Sequence, residues 1–90
     1  MSDDIGSSRV IRVKSLFFAT YRDLLGIREE EVELPAGASV RDLVEMIRAR
    51  PGVDDFPAAP AVAINREYAR LDQSLSDGDE VAFIPPVAGG

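Results

Sequence analysis

The sequence predicts an α+β domain in which one main helix lies across one face of a mixed sheet of four or five strands. Three observations point there. Apolar and polar residues alternate with period two after Arg9 and again over residues 80–84. A helical stripe stands between them, with Val40, Leu43, Val44 and Ile47 at i, i+3, i+4 and i+7. Ninety residues suit one domain, and a fold of this length buries roughly 60% of its unfolded surface. Residues 1–8 read as a flexible leader, 9–84 as the folded domain and 85–90 as an extended tail.

Each element has a local reason. In the run Val10 to Ala19, Ile11, Val13, Phe17 and Ala19 share one face, while Arg12, Lys14, Leu16 and Phe18 share the other. Ser15 interrupts the apolar face and reads as a small core position or the lip of a bulge. Thr20 is the expected cap of one short helical turn through Tyr21–Leu25, and Gly26 its left-handed stop. In residues 29–34, Val32 and Leu34 face in and Glu31 and Glu33 face out. This strand comes soon after the first, so antiparallel pairing is expected. Glu29-Glu30-Glu31 reads as the solvated start of a strand, with docking to a basic partner as the sharper alternative.

Pro35–Ala38 is a turn. Ser39 then caps the helix, and Asp42 stands three residues later as a capping-box partner. Arg41, Asp42, Glu45 and Arg48 are assigned to the wet side, and Pro51-Gly52 ends the helix. Residues 53–60 read as a loop, 61–65 as a short buried strand and 68–70 as a brief return strand after a turn at Asn65-Arg66-Glu67. Asp77-Gly78-Asp79 is a turn before the last strand, in which Val81 and Phe83 face the core and Ala82 and Ile84 face out.

Composition excludes several functions. Sixteen acidic residues against ten basic ones give a net charge of −6. Nucleic-acid and anionic-membrane surfaces call for the opposite sign. Cysteine and histidine are both absent, which removes thiolate and Ser-His catalysis, Fe–S clusters and Cys- or His-ligated metals. The leader lacks the basic and apolar regions of a signal peptide, and no apolar run approaches the ~18 residues of a membrane span. A cytoplasmic chain is expected, with no metal or cofactor bound by the chain and no side-chain catalysis of its own.

The tail carries the chemistry that remains. Pro85-Pro86 cannot continue a strand ladder and biases the residues after it to extended geometry. Six such residues span about 19 Å. Gly89-Gly90 puts side-chain-free residues at the tip, able to enter a narrow channel. The expected reactive group is the carboxylate of Gly90, inert until a partner activates it. Pro85, Pro86, Val87, Ala88 and Gly89 position it. In the isolated chain this tail is expected to be extended and mobile, having no packing partners.

Val13–Ala19, Arg22–Gly26 and above all Asp77–Gly90 resemble the small subunits of molybdopterin synthase, within the ubiquitin-like sulfur carriers. The resemblance spans residues 12–90. It implies the β-grasp fold, with the first and last strands parallel and central. It also implies that an adenylyltransferase related to ubiquitin-activating enzymes uses ATP and Mg to adenylate Gly90. A sulfur donor protein then makes a thiocarboxylate, and the tail enters the large subunit to sulfurate cyclic pyranopterin monophosphate. A heterotetramer of two small and two large subunits is implied. Docking is expected on the sheet face opposite the helix, centred on Phe18, Tyr68 and Ile84. The alternatives are a protein modifier joined to lysines through Gly90, a carrier of the thiamin or cysteine pathway, and an interaction module whose tail is unused.

Overall fold

The computed structural model describes residues 9–86. Its elements are β1 (Val10–Phe17), α1 (Ala19–Leu25), β2 (Glu29–Pro35), α2 (Val40–Arg48), β3 (Ala61–Ile64), β4 (Glu67–Ala69) and β5 (Glu80–Ile84). The five strands form one sheet in the order β2-β1-β5-β3-β4. The first and last strands are parallel neighbours in register Phe17 opposite Phe83. β1–β2, β5–β3 and β3–β4 are antiparallel. The expected mixed five-stranded sheet is present, with α2 as its main helix.

Alternation sets the core. Along β1, Ile11, Val13, Ser15 and Phe17 are buried. Val32 and Leu34 join them from β2, Val62 and Ile64 from β3, and Val81 and Phe83 from β5. The helix supplies Val40, Leu43, Val44 and Ile47, all fully buried. Its start is the predicted capping box. The Ser39 hydroxyl accepts from the Asp42 N–H at 3.3 Å, and the Asp42 carboxylate accepts from the Ser39 N–H at 2.9 Å. A cap of this kind is worth about 1 kcal/mol.

Several local expectations need correction. β1 stops at Phe17, so Ala19 is not a core-facing strand residue. It opens α1 with φ 47°, and Phe18 is the N-cap, without a side-chain cap from Thr20. The left-handed turn at Ala19, worth roughly 1–2 kcal/mol of strain in a residue with a Cβ, swings the chain off the sheet. Gly26 does stop α1, at φ 76°. Arg48 is not on the wet side: it is half-buried, and its Nε donates to the Phe56 carbonyl at 3.0 Å. Glu30 is likewise half-buried, 2.6 Å from Arg50 Nη2, while Glu29 and Glu31 are exposed.

The return strand begins one residue early, at Glu67, because the hairpin turn is only Asn65-Arg66, both left-handed (φ 51° and 76°). Asn65 also ties this hairpin to the turn before β5. Its Nδ2 donates to Asp79 Oδ1, and its Oδ1 accepts from the Glu80 N–H, both at 3.0 Å. Asp77 and Asp79 serve that turn themselves, accepting from the Arg12 and Ser76 N–H groups at 2.8 Å.

Ser15 is a small core position. It is fully buried, and its Oγ has no hydrogen-bond partner. A buried unpaired hydroxyl costs about 1–3 kcal/mol. Ser15→Ala is therefore expected to stabilise the fold by about 1 kcal/mol, raising Tm by about 4–8 °C. A lower Tm in thermal unfolding would show that the hydroxyl is partnered.

Candidate functional site

The sheet face away from α2 is built in rows by strand register. Leu16 stands beside Ala82, Ala82 opposite Ala63, and Ala63 opposite Tyr68. Over these four strands the row is apolar apart from the tyrosine hydroxyl, and on β2 it ends at the exposed Glu29, opposite Leu16. The next row toward the tail holds Ile84 opposite Ala61. The row on the other side is charged, with Lys14 between Glu31 and Glu80. Beyond it, Arg12 pairs with Glu33 at 3.0 Å, and this hydrogen bond raises the Arg12 pKa further above its ordinary value. The face is thus apolar at the end from which the tail leaves and charged at the other.

Of the three residues expected to form the docking patch, Phe18 is 48% exposed and Tyr68 80% exposed, while Ile84 is half-buried. Phe17 and Phe83 are register partners, so Phe18 and Ile84 come next at the same end of the sheet. The extended backbone of Phe18 (φ −115°, ψ 152°) continues the strand pleat for one more residue. That sends its side chain away from the core. Tyr68 lies two strands and two residues from Ile84, about 12 Å away on ideal sheet spacings. The three make an elongated strip rather than a tight cluster, with alanines between.

The base of the tail sits on a supported corner. β5 ends at Ile84, Pro85 is half-buried and Pro86 exposed. A groove of about 350 Å³ runs beside them, walled by Tyr21, Pro57, Pro60 and Ala61. Tyr21 is buried, its ring 4.8 Å from that of Phe56, and burial pushes its phenol pKa up. Phe56 meets Phe83 edge-on at 5.4 Å, and Phe83 stacks on Phe17 at 5.6 Å. Sequence reasoning missed Tyr21, Phe56, Pro57 and Pro60 here. The clustering of prolines and a phenylalanine in residues 56–60 was the available signal. A second groove, of about 250 Å³, places Arg22 and Arg28 beside Phe18 and Leu16. Val87, Ala88, Gly89 and Gly90, the remaining predicted site residues, lie outside the described residues, as does the leader.

Among the described residues no three acidic side chains gather as metal ligands, and no helix is long and apolar enough to cross a membrane. The arrangement is an outer sheet face with one apolar end, where Pro85 and Pro86 follow β5.

Comparison with known proteins accords with this geometry. The ThiS family model matches residues 15–90. The molybdopterin synthase sulfur carrier subunit of Chlamydomonas reinhardtii is 41% identical over 83 residues, covering 89% of this chain and all of that protein. In a solved complex of subunits 1 and 2 of molybdopterin-converting factor from Helicobacter pylori, one chain superposes with a TM-score of 0.60 at 27% identity. That match covers 89% of this chain and all of the other. Small archaeal modifier protein 1 of Haloferax volcanii superposes with a TM-score of 0.74 at 26% identity, covering 86% and 99% of the two chains. With this ubiquitin-like β-grasp fold, the chain belongs to the ThiS family, among the molybdopterin synthase sulfur carrier subunits.

Proposed function

We propose that this chain is the sulfur-donating small subunit of a cytoplasmic molybdopterin synthase and that Gly90 is its one reacting residue. The Gly90 carboxylate attacks the α-phosphorus of ATP on an adenylyltransferase related to ubiquitin-activating enzymes. Pyrophosphate leaves, and the Mg belongs to that enzyme. A sulfur donor protein displaces AMP and leaves a thiocarboxylate. The charged tail enters the large subunit and gives its sulfur to cyclic pyranopterin monophosphate, and two such transfers make the dithiolene.

The observation that carries this reading is the 41% identity across the full length of a named sulfur carrier subunit, within a family match that runs through residue 90. The modifier reading has a relative at 26% identity and is not favoured. The fold supports the roles of Pro85 and Pro86. Neither has an N–H, so neither can be drawn into the β5 ladder, and the tail is released at the end of a central strand. Intact mass after co-expression with the adenylyltransferase and sulfur donor tests the reading. One oxygen replaced by sulfur adds roughly 16 Da, and a Gly90-independent gain would contradict it.

The large subunit docks, in this reading, on the strip formed by Phe18, Ile84 and Tyr68. Apolar residues exposed beside polar ones are what an interface core requires. Phe18→Asp and Ile84→Asp are each expected to leave the fold intact and weaken binding to the large subunit at least about tenfold. Binding within twofold of the parent, in a folded variant, removes the strip from the interface. Unfolding of Ile84→Asp would make that side chain part of the core.

A further inference from the structure

At its Phe18 end the docking strip runs into a groove of about 250 Å³, lined by Leu16, Phe17, Phe18, Arg22, Arg28 and Glu29. Two cations and one acid stand together there, in a chain whose net charge is −6. Arg22 comes from the last turn of α1 and Arg28 from the connection between α1 and β2. Both are exposed. The ion pairs among the described residues belong to Arg12, Arg50 and Arg70, and neither Arg22 nor Arg28 takes part in one.

The backbone holds both arginines beside the strip. The Phe18 carbonyl accepts from the Tyr21 and Arg22 N–H groups at 3.0 and 3.4 Å. The Arg22 carbonyl accepts from the N–H of Gly26 at 2.8 Å, where the left-handed glycine ends α1. The Arg28 carbonyl accepts from the Phe17 N–H, also at 2.8 Å. Two residues six apart in sequence are thereby brought to one groove with the half-exposed Phe18 ring.

A guanidinium is always charged, is weakly hydrated and presents a planar fork that fits a carboxylate. When a partner covers Phe18, water leaves the groove and the local dielectric falls. A cation left unpaired there is costly, whereas one bonded to a carboxylate is favourable. The net charge of the chain steers it toward basic surfaces. This groove asks for the opposite sign at one place, which is how an interface fixes orientation and register.

We infer that the large subunit seats an acidic side chain in this groove, its carboxylate bonded by Arg22 and Arg28, and that this contact fixes which way round the carrier docks. The inference rests on the docking proposed above and names the partner's chemistry at one end of the strip.

Binding of the molybdopterin synthase large subunit to the full chain is measured between about 50 mM and about 500 mM salt, where the screening length falls below about 5 Å. Arg22→Glu/Arg28→Glu is expected to weaken binding at least tenfold at low salt and by less at high salt. Arg28→Glu alone, which lies outside α1, is expected to weaken it at least threefold and stands in if reversal at position 22 unfolds the helix. Arg41→Glu makes the same charge change on the exposed side of α2 and is expected to bind within twofold of the parent. Arg22→Lys and Arg28→Lys place amines in the groove of a chain with one other lysine side chain, Lys14. Carbodiimide coupling of the complexes is expected to join position 22 or 28 to an aspartate or glutamate of the large subunit, located by peptide mapping.

A loss below threefold in folded Arg28→Glu overturns the inference. So does a loss of the same size in Arg41→Glu, which would assign the effect to net charge, or coupling that joins neither position to the large subunit. These outcomes leave the proposed function standing, because the parent still binds. A parent chain that does not bind the large subunit overturns the proposed function and this inference together.

Discussion

Deleting Gly90, or adding one residue after it, is expected to abolish sulfur transfer while leaving stability within about 0.5 kcal/mol of the parent. The two halves of this expectation have separate causes. Stability resides in a core that ends at Phe83, with Ile84 and Pro85 only half-buried and Pro86 exposed. A change four residues beyond Pro86 is expected to leave that core intact. Transfer depends on where one atom stands. Each residue of an extended chain advances it by about 3.1 Å, and a displacement near 1 Å can lower a rate ~100-fold. A one-residue error is three times that, and deletion leaves the new terminus short of the acceptor. Single-turnover sulfur transfer from chemically prepared thiocarboxylates measures the effect without involving the activating enzyme. An extended variant that transfers at the parental rate, with its mass showing no trimming, would remove Gly90 from the reaction.

The parts of the fold that were legible in the sequence are those whose signals are local. Ser39, Asp42 and the Val40–Ile47 stripe lie within nine residues of one another, and each acts on its own helix, so α2 and its capping box could be read directly. Strand alternation gave the inward faces of β1, β2 and β5 for the same reason. The parallel pairing of β1 with β5 is non-local, and only the resemblance to sulfur carriers supplied it.

The errors fall where a single backbone angle breaks a pattern that the side chains continue. Phe18 and Ala19 extend the apolar alternation of β1, but the positive φ at Ala19 turns the chain into α1. Arg66 takes a left-handed conformation that no side-chain signal advertises, and β4 starts a residue early. The site divides in the same way. Pro85-Pro86 announces itself by chemistry. The Tyr21–Pro57–Pro60 groove beside it is assembled from α1 and a loop far apart in sequence. Loops have no period, so Val53, Phe56 and Leu75, all buried, gave no periodic signal of their own.

Phe56 provides the sharpest test of that last point, because sequence and structure assign it opposite weights. It sits in a Pro-rich connection, yet it is fully buried between Tyr21 and Phe83. Its carbonyl is held by Arg48 at 3.0 Å, which fixes the loop onto the end of α2. Phe56→Ala removes a ring from a site bounded by two other rings, where little can collapse to fill the space. The expected cost is about 3–5 kcal/mol, a large part of the roughly 5–13 kcal/mol that a domain of this length possesses. At about 4–8 °C per kcal/mol, Tm should fall by at least about 12 °C. Phe18→Ala is the matched control. Its ring is 48% exposed, and the change should cost no more than about 1 kcal/mol while weakening large-subunit binding. Thermal unfolding of the two variants side by side separates a ring that holds the fold from one that serves the interface. A Tm loss below about 4 °C for Phe56→Ala would mean that the loop does not seal the core beneath the tail.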